Sequence, residues 1–438
     1  MGSGPDAAVG SIAVTQAEDA EEERDEGTRR SAPQPGTLRS AMSSRAFRRV
    51  FAGTFASNIG TWMQNITLIA LAYDLTGDAW FVGLTTFAQL GPMLILSPVG
   101  GAVADRVDRR RMMVTIAATQ AALSLVLAGV ALDGSPNRLA LVLIVLGIGC
   151  ASALNGPTAN ATLPSLVPRE DLQPAIAINS VSMNSSRVVG PLLGGLVGSL
   201  GGASLVFAVN ALTYLFVIGA LVSVDVDFSP RGRLGEGPVA QLRRGLSAAR
   251  ADRLISRVLV TISVLSLCSL VFIYQMPLLA ERQLDLTGWR FNLLFASFAT
   301  GAAGGALAMG SMLSGRDRAR TTRVGLGIFA AALAVFGTTR NVPIAFISAF
   351  ACGACYFVVV TALATTLQMR VADEVRGRVM GLWMMAWAGL VPLGGLIAGP
   401  VIDALGISVV LLFGAVVAAV LAAAMDLRDP DLVELHAV

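Results

Sequence analysis

Long apolar runs, broken at short intervals by charged or glycine- and proline-bearing turns, fill the chain from about residue 50 to residue 426. Twelve runs stand out, at roughly 50–73, 80–104, 112–132, 138–158, 175–199, 204–224, 256–280, 290–313, 321–338, 342–366, 379–402 and 406–426. Each is near the length of ~20 residues that a helix needs to cross the hydrocarbon core of a bilayer. Inside lipid every backbone polar group needs an internal partner, so such runs predict helices; a β-barrel would show alternating segments of about ten residues. The expected fold is an all-α integral membrane protein of twelve transmembrane helices.

Composition agrees. The 438 residues are 54% hydrophobic and 14% charged, with a mean hydropathy of +0.69, far from the quarter-charged soluble average. All 32 basic residues are arginine. With both termini inside, only Arg138, Arg282, Arg290 and Arg340 fall outside, and Arg187 falls deep within a span. Every other arginine is then cytoplasmic or at a cytoplasmic helix end, which is the orientation the positive-inside rule selects. The expected location is the inner (cytoplasmic) membrane of a bacterium, with the basic residues explained by topology rather than by nucleic acid.

Residues 1–46 are rich in Gly, Ser, Pro, Ala and acid, including EDAEEERDEG at 18–27. They are expected to form a disordered cytoplasmic tail. The first apolar span starts too late and is too long for a signal peptide. Residues 225–255 form the longest internal loop and contain an amphipathic stretch suited to the inner membrane surface. This linker separates a first six-helix bundle (47–224) from a second (256–426), with a short cytoplasmic tail at 427–438.

Weak internal repeats support that division. Asp74-Leu75-Thr76-Gly77 recurs as Asp285-Leu286-Thr287-Gly288, at an offset of 211. Gly310 and Arg318 answer Gly101 and Arg109 at 209, while Ser314 and Gly315 stand where Asp105 and Arg106 do. Glu170, Gly190 and Gly195 answer Glu374, Gly394 and Gly399 at 204. Three matches in order at nearly constant offset indicate two homologous halves.

Between the second and third runs lies GGAVADRVDRRR, residues 100–111. Its Gly101, Asp105, Arg106, Arg109 and Arg110 resemble the signature loop of the major facilitator superfamily position for position. The resemblance implies the major facilitator fold. It also implies a gate in which Asp105 pairs with the start of the eleventh helix, near Arg376 and Arg378, when the cytoplasmic side is shut; the alternative is a solvated loop. Gly190, Pro191, Gly194 and Gly195 in the fifth run resemble the end of an exporter signature, with Ser186 and Ala177 replacing two upstream glycines. Small residues there allow close helix packing, and the resemblance favours export over import. Within the superfamily the likeness is to bacterial twelve-helix exporters of the enterobactin-exporter and macrolide-efflux (drug:proton antiporter) type. It rests on NIGTWMQNITLIALAYDLTG at 58–77, LPSLVPREDLQPAIAINS at 163–180 and RGRVMGL at 376–382.

Arg187 is the sharpest single residue. An unpaired charge at mid-membrane costs at least ~2.5–3.5 kcal/mol, so it needs either an anionic substrate group or an internal carboxylate. Asn184 shares its face. A cavity is expected from Asn58, Trp62 and Asn65 in the first run, Tyr274 and Gln275 in the seventh, and Trp383 and Trp387 in the eleventh. Amides with Trp and Met suit bulky amphipathic molecules, although each residue taken singly fits plain packing. The first run has no mid-membrane acid, so proton coupling follows from the resemblance alone, with Asp105 and Asp74 as candidates.

Other chemistry is thin. The one histidine, His436, lies in the C-terminal tail, and there is no lysine to complete a phosphate-binding loop. Cys150, Cys268, Cys352 and Cys355 all fall in apolar runs and fit small buried hydrophobes. The sequence therefore predicts a secondary active exporter of amphipathic small molecules, either drugs or siderophore-like metabolites, and no enzyme. A dedicated exporter of an anionic siderophore or metabolite is the alternative, and a non-transporting membrane sensor or scaffold the reading from another class. Expected partners are a small-molecule substrate, protons and the lipid bilayer, with no cofactor, metal or nucleic acid, and a monomeric chain.

Overall fold

The computed structural model describes residues 34–96, 103, 107–132, 136–229, 238–313, 316–371 and 373–425. Among them there is no strand. The first bundle comprises α1 (Leu38–Ser43), α2 (Arg45–Thr76), α3 (Ala79–Leu90), α4 (Arg109–Val130), α5 (Arg138–Thr162) and α6 (Leu172–Ser223). A linker helix, α7 (Pro238–Ala251), leads to α8 (Arg253–Cys268), α9 (Val271–Tyr274), α10 (Met276–Leu284) and α11 (Trp289–Ser311). There follow α12 (Arg318–Thr338), α13 (Val342–Arg370), α14 (Asp373–Met384), α15 (Leu390–Leu405) and α16 (Ile407–Ala424).

Among the described residues, ten helical runs are long and apolar enough to cross a membrane. The rest of the count lies in two places. α6 holds two crossings, parted where Gly202 takes φ 67° and ψ −167°, a conformation open to glycine. α2, with 32 residues, is about 48 Å long but carries Asn58, Gln64 and Asn65, which dilute its hydropathy. The all-α membrane architecture expected from the sequence is present, and these helices are consistent with its twelve crossings.

Polar side chains written into the turns start the helices. Asp108, Asn137, Asp252, Asp317 and Asn341 each accept a backbone N–H from the first turn they precede. The two copies of the Asp-Leu-Thr-Gly turn behave differently. Gly77 ends α2 at φ 69°, whereas in the second copy Asp285 ends α10 at φ 53° and Gly288 precedes α11.

Two expectations need correction. Residues 37–46 do not belong to a disordered tail: Asp171 accepts from the Gly36 N–H and the Ser40 hydroxyl, both at 2.8 Å, and so docks α1 on the bundle. Residues 1–33 lie outside the described residues. The seventh span, read as continuous over 256–280, bends at Ser269–Leu270 and again at Gln275. Pro277 follows the second bend, and its ring and missing N–H disfavour a preceding helical turn.

Each bundle is tied internally, chiefly through α2–α6 and α4–α6 in the first and through α11–α13, α12–α13 and α12–α16 in the second. The bundles meet along α3–α15 and α6–α11. The glycines repeated at an offset of 204 do matching jobs in this scheme. Gly190 brings α6 onto α2, where an added Cβ would sit 2.5 Å from the Cβ of Trp62; Gly394 brings α15 onto the Leu267 carbonyl of α8. Gly195 faces Asn292 on α11, and Gly399 faces Trp80 on α3. One glycine of each pair closes a bundle and the other joins the two bundles.

Candidate functional site

Arg187, on the first half of α6, lies where the two bundles face each other. Its guanidinium carbon is 4.9 Å from the ring centroid of Phe357 on α13, 5.4 Å from Trp62 on α2 and 6.0 Å from Trp387. Its Nε is buried without a hydrogen-bond partner. Three aromatic faces at about 0.5–2 kcal/mol each are of the size needed to offset the ~2.5–3.5 kcal/mol cost of a mid-membrane cation. Among the described residues the charge is thus held by rings rather than by a carboxylate.

The eleventh span shapes one wall. Its helix widens to a π-turn over Met385–Gly389, a feature that frees a backbone carbonyl and often marks functional sites. The Trp387 carbonyl accepts from the Ser266 hydroxyl at 3.0 Å, and the Trp387 indole N–H donates to the Tyr356 hydroxyl at 2.5 Å. Gly389 comes against Leu94, leaving no room for a Cβ. Trp62 in turn stacks towards Phe295 of α11, 6.5 Å between centroids, and Gly190 and Gly194 seat α6 on this stretch of α2. The exporter-type glycines therefore fix the spacing between Trp62 and Arg187.

Of the residues expected to line a cavity, Trp62, Arg187 and Trp387 come together, with Tyr274 within electrostatic reach of Arg187. Asn184 donates to the Ser180 carbonyl one turn before it, and Asn58 remains partly exposed on α2. Three others serve packing. Trp383 is buried in the apolar core, and Asn65 accepts from Gln89 at 2.6 Å. Gln275, fully buried, donates to the Ala79 carbonyl at 3.0 Å. Phe357 and Tyr356 were not expected; they sit in an apolar run whose sequence gives no hint of the face they present.

Gln275 belongs to a second cluster, at the end of the bundle away from α1 and α7. There Asp403 of α15 accepts from the backbone N–H groups of Ala79 and Trp80 at 2.9 and 3.1 Å. Arg282 donates to the Gly77 carbonyl at 2.6 Å. An added Cβ on Gly83 would come 2.6 Å from the Gly395 carbonyl oxygen. Four hydrogen bonds from the second bundle thus converge on the turn that opens α3, and this end is shut. Beside it, Asp74 and Glu281 line one cavity of about 410 Å³ with Thr67, Asn292 and the glycines of α6.

Gly101, Asp105 and Arg106 of the signature loop lie outside the described residues. The other two arginines bind the start of the linker. Arg110 donates to the Val224 and Val226 carbonyls at 2.6 and 2.9 Å and lies 4.9 Å from the ring centroid of Phe228. Arg109 is buried, and its backbone N–H donates to the Phe228 carbonyl at 3.2 Å. At the start of the eleventh span, the Arg378 backbone packs on Gly245 of α7, and Arg376 donates to the Val371 carbonyl.

Known proteins match this arrangement. The family described as transmembrane secretion effector matches residues 37–436. The enterobactin exporter EntS of Escherichia coli O127:H6 is 28% identical over 345 residues, 77% of this chain and 80% of EntS. The crystal structure of the nucleoside transporter NupG superposes with a TM-score of 0.70 at 14% identity, over 87% of this chain and 98% of its own. A bacterial homologue of the human lysosomal transporter Spinster, inward-facing and unoccupied, gives 0.67 at 16% identity over 86% of this chain and 96% of its own. At those identities the structural likeness concerns the fold. The chain is a multi-pass membrane protein of the transmembrane secretion effector family, within the major facilitator superfamily of transporters.

Proposed function

We propose that this protein exports amphipathic small molecules bearing an anionic group, siderophore-like metabolites foremost, by alternating access across the cytoplasmic membrane. The observation that carries this reading is Arg187 enclosed by Trp62, Phe357 and Trp387 between the two bundles. A cation on aromatic walls recognises a flat or bulky anion, and a sugar would need a denser polar lining. The likeness to an enterobactin exporter supports the siderophore class. The arginine distribution supports cytoplasmic termini; in that orientation the Asp403 cluster lies at the outer end of the chain's membrane-crossing helices.

Proton antiport is the coupling we infer. Asp74 and Glu281 share a cavity on the shut side, where protons would enter, and Asp105 is the further carboxylate candidate. A drug-exporting role uses the same aromatic walls; Arg187 favours anionic cargo over the cationic drugs.

The test is flux in proteoliposomes under an imposed pH gradient, with catecholate siderophores, macrolides and cationic dyes. Gradient-dependent uptake of the siderophores that an ionophore abolishes, and that Arg187→Ala loses, is expected. Transport restricted to cationic dyes overturns the anionic reading. Binding without gradient-dependent flux overturns proton antiport, and the absence of both favours a sensor.

A further inference from the structure

The second bundle carries an open groove. It lies between α12 and α13, encloses about 640 Å³, and its floor is formed by Val324, Gly325, Ile328, Cys355 and Val358. Arg316 and Arg320 stand at its mouth with Asp317, and Arg323 follows one turn on. Val324 and Ile328 are exposed, so an apolar trough runs directly from a cationic collar.

The arginines that open α4 and α12 are placed differently in the two halves. At the offset of 209, Arg318 and Arg320 answer Arg109 and Arg111. In the first bundle the linker takes up two of the arginines that open α4: Arg110 is bound by two carbonyls and the Phe228 ring, and Arg109 is buried, while Arg111 is exposed. In the second bundle Arg316, Arg320 and Arg323 are exposed, and none makes an ion pair among the described residues. Asp317 does not neutralise them, because its carboxylate accepts the Ala319 N–H at 2.9 Å as the cap of α12 and is opposed by the positive end of that helix.

We propose that this groove binds one anionic phospholipid from the leaflet on the side of the chain termini. The phosphate is held by Arg316 and Arg320 with Arg323 beside them, and an acyl chain lies along Val324, Ile328 and Val358. Charge complementarity selects the headgroup, because basic recesses between transmembrane helices at the membrane surface attract anionic lipid. The apolar floor, continuous with the lipid-facing side of α12, selects a lipid over a free anion.

The experiment is native mass spectrometry of the delipidated full-length chain with an equimolar mixture of dioleoyl phosphatidylglycerol and dioleoyl phosphatidylcholine. The expected result is retention of one phosphatidylglycerol with a preference of about fivefold. The R316Q/R320Q double variant falls to parity, and V324W, which keeps every charge but fills the trough, loses the adduct. R111Q, at the matching place in the first bundle, keeps the preference, and thermal unfolding verifies that each variant is folded. Equal retention of both lipids overturns the proposal, as does a preference that survives in R316Q/R320Q. An adduct unchanged in V324W overturns the acyl-chain assignment. A preference seen only after removal of residues 426–438 would show that the chain's own acidic tail fills the groove. A dimer that V324W dissociates would assign it to a second copy.

Discussion

Asp403 supplies both acceptors for the first two backbone N–H groups of α3, Ala79 and Trp80, from a helix 324 positions further along the chain. A cap normally comes from the residue before the helix, and here Asp78 makes no such bond. The consequence is that α3 has a satisfied N-terminus only while the two bundles are closed at this end.

Loss of that acceptor should therefore shift the conformational balance. Replacement of a capping side chain by alanine costs about 1 kcal/mol, or about fivefold in the ratio of closed to open states. Spin labels at Asp78 and Ala404 should show a single short distance in the parent protein and an added longer one in Asp403→Ala. An unchanged distribution would mean that the contact does not hold the end shut.

Arg187 permits a test with opposite signs for its two possible roles. If the guanidinium serves substrate, Arg187→Ala removes a buried charge that costs ~2.5–3.5 kcal/mol. The variant then melts no lower than the parent but gains no stability from added substrate. A structural cation would instead lower the melting temperature when removed. Thermal unfolding with and without a transported siderophore separates the two.

Gly190→Ala should destabilise by about 1–3 kcal/mol, because the new methyl meets the Trp62 Cβ at 2.5 Å and the Ile59 carbonyl oxygen at 3.0 Å. Gly129→Ala, with open space around the added atom, should be neutral or stabilise by about 0.5–1 kcal/mol. Melting temperatures of the two variants in the same detergent compare them directly.

Acid should weaken the junction between linker and second bundle. Burial pushes the Asp252 carboxyl up, but the Arg370 hydrogen bond, the N–H groups of Ile255 and Leu254 and the Arg370 charge together hold it below the usual carboxylate range. A carboxyl with a depressed folded pKa contributes stability above its unfolded pKa and loses it as pH falls through the folded value. The gap in melting temperature between the parent and Asp252→Asn should be full near neutrality and close as the pH drops below that of an ordinary carboxylate. A gap independent of pH would show that the 2.8 Å contact with Arg370 contributes nothing ionic.

Much of this fold was legible because it is local. Spans follow from runs of apolar residues, helix starts from Asp and Asn at the turns, and the conflict of a charge with its surroundings singles out Arg187 in a single line of sequence. The partners of Arg187 were only half legible. Trp62 and Trp387 are conspicuous residues, whereas Phe357 is one aromatic in the run Cys355–Val360, and its orientation depends on how α13 rotates against its neighbours. Gln275 looked like a cavity residue and Asp403 gave no signal, because both act on backbone atoms of α3 and backbone partners leave no mark in sequence. The repeated glycines could be seen, but their division between closing a bundle and joining two is a property of the assembled fold.

The widened turn at Met385–Gly389 absorbs one extra residue in the eleventh span. Deleting one residue there would restore regular winding while the flanking segments keep their faces, because the wide turn holds about one residue more than an α-turn for nearly the same rotation. Trp387, inside the altered turn, would lose its place beside Arg187, while Asp403, on the far segment, would still meet Ala79 and Trp80. A single deletion in this span would thus change the aromatic wall around Arg187 and leave the latch at Asp403 in place.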